Sequence, residues 1–138
     1  MSEVLRATDF LPLEEVLAMP SGEKLDRLAV FLASFLRPDR EAEVLAGRPS
    51  ENIAAAWVLL ESELEAGGHF STHVDGWLCR IGNGPEVIAQ TAPLAICRAI
   101  VAEAVMLTTC DPAELQEDEV DYWCRQLLDF KKIVDGTP

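Results

Sequence analysis

Apolar side chains recur at three- and four-residue intervals along both flanks of this sequence and at two-residue intervals in its middle. That change of period sets out the elements. LEEVLAM, between Pro12 and Pro20 and preceded by Asp9, reads as a helix of about two turns. Ser21 is then placed to cap a second helix in GEKLDRLAVFLASFL, where Leu25, Leu28, Leu32, Phe35 and Leu36 form one stripe that ends at Arg37-Pro38. A short helix from Asp39 to Ala46 follows, and Gly47 suits the left-handed position after it.

Pro49 and Ser50 open the next helix, with Ser50 as its expected N-cap, Ile53, Trp57, Leu60 and Leu64 as its buried face, and Glu61, Glu63 and Glu65 as its wet end. Gly67-Gly68 stops it. From His69 to Gln90 the period becomes two. Phe70, Thr72 and Val74 alternate with His69, Ser71 and His73, and Trp77, Cys79 and Ile81 alternate with Leu78 and Arg80. Asp75-Gly76 is a two-residue hairpin signal, Gly82-Asn83-Gly84-Pro85 a second turn, and EVIAQ a third strand. Thr91 then caps a helix with Pro93 in its first turn and only Arg98 and Glu103 charged, a pattern suited to packing against a sheet on one side and helices on the other. After Asp111-Pro112-Ala113-Glu114, which has capping-box spacing, Val120, Trp123, Leu127, Phe130 and Val134 carry a helical stripe to Gly136, in one bent helix or two.

These elements predict one α+β domain over residues 1–138: a three-stranded antiparallel β-meander packed against helices in αβα-like layers, with helical N- and C-terminal segments. Residues 1–46 form a helical cap, 47–108 a helix-meander-helix core, and 111–136 an acidic C-terminal helix or pair of helices. A chain of 138 residues with 49% hydrophobic side chains is long and apolar enough to bury a core. No apolar run reaches membrane-spanning length, and the first residues lack the layout of a secretory signal, so a cytoplasmic protein is expected. Cys79, Cys97, Cys110 and Cys124 form no Cys-x-x-Cys element, and they read as packed thiols in a reducing compartment.

The formal net charge is −13, and residues 111–138 alone carry eight acidic against three basic side chains, whereas the β-rich middle is nearly neutral. Such a field repels phosphate backbones and steers the chain towards a basic protein surface. Candidate chemistry is sparse. His69 and His73 would stand about 13 Å apart on one strand, too far to chelate one metal. Ser71, His73 and Asp75 share a strand face at spacings of about 6 to 7 Å, too wide for a nucleophile relay. Gly82-x-Gly84 lacks the strand-turn-helix setting of a phosphate loop and reads as a hairpin turn. No cofactor, metal or catalytic set is expected, and the chain is read as a non-enzyme. The sharpest candidate is the acidic stretch Asp111–Asp121, in which Glu114, Glu117, Asp118, Glu119 and Asp121 would form a phosphate-like partner-binding surface.

The PSENIAAAW helix start, the Trp-containing β segment and the TAPLAICRAIVAEAV run together resemble small proteins of tailed bacteriophages and prophages of the phage ABA sandwich type. The residues that carry this are Ser50, Ile53, Ala54, Ala55, Ala56 and Trp57, then Thr91, Ala92, Pro93, Leu94, Ala95, Ile96, Cys97, Arg98 and Ala99. They lie in a stretch of about 60 of the 138 residues. The resemblance implies phage origin and an αβα-like layered fold and carries over no catalytic residues. Residues 1–46 follow that pattern loosely, and the acidic extension after Cys110 departs from it. The leading expectation is therefore a phage accessory protein in the host cytoplasm that inhibits a host defence factor, anti-CRISPR-like, by protein–protein contact with a basic partner surface, without direct nucleic-acid or membrane binding. A small-molecule- or signal-sequestering protein and a phage assembly protein are the alternatives.

Overall fold

The computed structural model describes residues 5–33, 36, 38–64, 68–107, 109–110 and 127–136. A two-residue strand β1 (Leu5–Arg6) leads into α1 (Leu13–Ala18), α2 (Glu23–Leu32), α3 (Glu41–Ala46) and α4 (Ile53–Leu64). Strands β2 (Gly68–His73), β3 (Gly76–Ile81) and β4 (Val87–Ala89) follow, then α5 (Ala92–Leu107), β5 (Thr109–Cys110) and a C-terminal helix α6 at residues 127–135.

Helix α5 is the organising element, as its breadth of apolar residues implied. Ala95, Ile96, Cys97, Ala99, Ile100, Val101, Ala102 and Val105 are all buried. The helix packs on β3 and β4 on one side and on α1, α2 and α4 on the other. Thr91 caps it, its Oγ1 accepting the Leu94 N–H at 3.4 Å. Arg98, whose guanidinium is depressed from its ordinary value by partial burial, donates through Nε to the Met19 carbonyl at 2.8 Å and ties α5 to the end of α1.

The sheet is an antiparallel meander in the order β2-β3-β4. Its register pairs Phe70 with Cys79, Thr72 with Trp77, Cys79 with Val87, and Trp77 with Ala89. Phe70, Trp77, Cys79, Val87 and Ala89 therefore share the face that meets the helices, while His69, Leu78, Arg80 and Ile88 occupy the other. Leu5 pairs with Cys110 in a separate two-stranded ribbon that brings the first described residues beside the end of α5. On α6, Leu127 and Phe130 are buried and Val134 packs against the same core, continuing the expected stripe; Val120, Trp123 and Cys124 lie outside the described residues.

Five local expectations are corrected. Helix α2 ends at Leu32, where Ala33 turns extended, and Leu36 enters the core from beyond the helix; Phe35 lies outside the described residues. Its N-cap is Gly22 and not Ser21. Nor does Ser50 cap α4: its hydroxyl accepts the Gly22 N–H at 2.9 Å, and Asn52 Oδ1 takes the Ala54 N–H at 2.9 Å instead. After α3 the left-handed residue is Arg48 (φ 55°), while Gly47 stays right-handed; a Cβ on Gly47 would lie 3.0 Å from that of Ala55. Finally, the first hairpin loop is Val74-Asp75, since His73 pairs with Gly76. Gly76 is instead the first residue of β3, at φ 141°, where a Cβ would stand 2.2 Å from the Ala89 carbonyl oxygen of β4.

Candidate functional site

Helix α4 does not bury the face that its spacing of large residues suggests. Ile53 and Trp57 are 49% and 43% exposed, and the core side is made by Ala55, Ala56, Leu59, Leu60 and Glu63. The buried arc is rotated about a quarter turn from the expected one. The small Ala55 and Ala56 are the residues turned inwards where α4 meets α3 and α5, and the bulky Ile53 and Trp57 are left at the rim. The Ala54-Ala55-Ala56 run was the available signal for this orientation.

That rotation builds a surface cleft of about 500 Å³ between three elements. Ile53 and Trp57 of α4 form one side, Phe70 of β2 and Trp77 of β3 the floor, and Gln90, Thr91 and Ala92 the edge at the start of α5. The Phe70 and Trp77 rings stack, with centroids 5.5 Å apart and planes 9° from parallel. Trp57 meets Phe70 edge-on, at 6.3 Å and 74°. The cleft therefore has two aromatic walls nearly at right angles. Trp57 Nε1 donates to Glu61 Oε1 at 2.9 Å, one helical turn on, which fixes the indole and sets a carboxylate beside it. The lining residues include no Lys, Arg or His. On the sheet, His69 and Arg80 pair on the opposite face.

A second cleft, of about 560 Å³, is bordered by Gly22, Asp26, Arg27, Arg48 and Glu51, groups of both charge signs. Its buried member, Asp26, accepts the Ser50 N–H through Oδ1 at 2.7 Å, so that carboxylate is committed to joining α2 to the α3–α4 turn.

The other sequence candidates are placed as follows. His69 and His73 both lie on β2; His69 Nε2 is 3.1 Å from Ser71 Oγ on the exposed surface, and Asp75 sits in the hairpin loop. Gly82 and Gly84 form the β3–β4 turn, closed by the Gly84 N–H to the Ile81 carbonyl at 2.9 Å. Cys79 and Cys97 are buried free thiols. Burial pushes the Cys79 thiol up to about 12, and it raises Cys97 well above its ordinary value, with the negative charge of Asp26, and of Cys79 once it ionises, adding to the effect. Among the described residues no group of three His, Cys, Asp or Glu side chains could hold a metal ion, and no helix is long and apolar enough to cross a membrane. Glu114, Glu117, Asp118, Glu119 and Asp121 lie outside the described residues.

Residues 23–101 match the family described as the Phage ABA sandwich domain, a span that runs from the first residue of α2 into α5 and contains every wall of the aromatic cleft. No curated protein and no solved structure matches the chain.

Proposed function

The chain belongs to the Phage ABA sandwich domain family, and from that premise we propose that it is a phage- or prophage-encoded accessory protein that acts by binding a basic host protein and not by catalysis. Its most concrete form is inhibition of a host defence factor in the host cytoplasm, of the anti-CRISPR kind. The observation that carries this reading is the exposed aromatic cleft, free of basic side chains, on a chain of net charge −13. An exposed tryptophan beside a carboxylate, here Trp57 with Glu61, is the kind of side chain that anchors interfaces, and the surrounding field draws in a basic partner while repelling phosphate. The acidic set Glu114, Glu117, Asp118, Glu119 and Asp121 would add to that field.

The test is inhibition of a panel of host nucleases and defence complexes as a function of salt. Inhibition should weaken as salt rises, because exposed charges are screened over about 8 Å at physiological ionic strength. It should also fall sharply when Glu114, Glu117, Asp118, Glu119 and Asp121 are changed together to Gln or Asn. Salt-independent inhibition, or full inhibition by the neutralised variant, would sink the acidic-surface mechanism. The cleft volume also supports the second reading, sequestration of a small signal molecule, because ligand pockets span about 300–1,000 Å³. Mass spectrometry of material released from protein purified out of infected cells separates the two: a stoichiometric small molecule favours sequestration.

A further inference from the structure

We infer that the aromatic cleft is a receptor for an arginine side chain presented by the basic partner, which makes Trp57 the anchor of that interface; this rests on the binding role proposed above. The Trp57 plane stands at 74° to Phe70, and Phe70 lies parallel to Trp77, so the lining offers aromatic surface in two orientations nearly at right angles. A cation over an indole or phenyl face is drawn to the ring quadrupole, and a planar guanidinium, weakly hydrated, stacks there at lower desolvation cost than an ammonium.

The sign of the occupant follows from what borders the cleft. The exposed Glu61 is held against the indole N–H of Trp57, and α4 carries no basic residue. Gln90 and Thr91 are exposed at the far edge and offer neutral oxygen acceptors to guanidinium N–H groups. A nucleobase would also stack on these rings, but the lining residues include no cation to receive its phosphate. The Trp57–Glu61 bond holds the indole before any ligand arrives, so little ordering is needed on binding.

The experiment titrates the full chain with a capped eight-residue Gly/Ser peptide holding two arginines, followed by tryptophan fluorescence and calorimetry. Matched peptides with lysine or citrulline, and adenosine monophosphate, serve as comparisons. The arginine peptide should bind saturably, several-fold more tightly than the lysine peptide, and the citrulline peptide should not bind. Trp57→Ala should fold normally, because the side chain is 43% exposed and stands outside the buried core, and should weaken the arginine peptide by about tenfold. Glu61→Gln should weaken it by less. Equal binding of arginine and citrulline peptides, tighter binding of adenosine monophosphate, or no effect of Trp57→Ala would each overturn the proposal. If Trp57→Ala still inhibits a host system in a salt-dependent manner, the arginine receptor is wrong and the proposed function stands. If the arginine peptide binds but the full chain engages no basic host protein, the function is wrong and the cleft chemistry stands.

Discussion

Asp26 and Ser50, at 3% and 1% exposure, are joined by a 2.7 Å hydrogen bond from the Ser50 backbone N–H to the Asp26 carboxylate, and the Ser50 hydroxyl in turn accepts the Gly22 N–H. The start of α2 is thereby fastened to the α3–α4 turn by one buried acid and one buried hydroxyl. Asp26→Ala leaves a buried amide without its acceptor and should cost about 1–3 kcal/mol in urea unfolding. Asp26→Asn, which keeps an oxygen in place, should cost less, and an equal loss for both would show that the hydrogen bond is not what matters.

The buried middle of α5 tolerates no charge. Ile100→Asp should abolish the folded state, since an unpaired carboxylate would be stripped of water between the sheet and the N-terminal helices, whereas Ile100→Val should cost about 1 kcal/mol. Circular dichroism melts of the two variants check this; an unchanged melt for Ile100→Asp would contradict the burial of that face.

At the first hairpin the two turn-region positions should respond very unequally. Val74 is 92% exposed in the loop, so Val74→Gly or Val74→Asn should shift stability by only about 0.5 kcal/mol. Gly76→Ala would push a methyl group into the Ala89 carbonyl at a backbone angle that alanine rarely adopts, and it should destabilise severely or unfold the chain. Thermal melts of the three variants distinguish this arrangement from a loop at Asp75-Gly76, which would make position 76 a solvent-facing turn residue.

Alkaline pH should weaken the fold through the buried thiols. A thiol raised on folding contributes stability that is fully present below its unfolded value and is lost as pH climbs through its folded value. For Cys79 that window runs from its ordinary value of 9.0 up to about 12. Urea midpoints measured across that window should fall, and the fall should be shallower in Cys79→Ala and in Cys97→Ala. Below it, both thiols should resist alkylation until the protein unfolds, and rapid labelling of Cys79 or Cys97 in the native protein, located by peptide mapping, would contradict their burial.

Much of this architecture is written in periodicity. The alternation through Phe70 and Cys79 located the meander, and the apolar breadth of Leu94–Val105 located the central helix, because burial on a known face leaves a repeat in the sequence. What periodicity does not carry is which of two adjacent faces a helix turns inwards. On α4 the large Ile53 and Trp57 outweighed Ala55 and Ala56 in the reading, yet close helix packing selected the small pair. The hairpin was displaced by one residue for a similar reason: an Asp-Gly pair signals a turn, but the glycine here serves the approach of β4. The cleft was illegible because its rings come from positions 57, 70 and 77, which only the fold brings together. The acidic set chosen from the sequence lies outside the described residues, so its test is the charge-neutralised variant.

The distribution of the cleft over α4, β2 and β3 limits how small a working copy of this protein could be made. A peptide copied from α4 would carry Trp57 and Glu61 but neither stacked ring, and one copied from the hairpin would carry Phe70 and Trp77 without the wall that crosses them. Miniaturisation or grafting would have to transplant a helix and a hairpin at a fixed mutual angle, with α5 behind them as the scaffold that sets it.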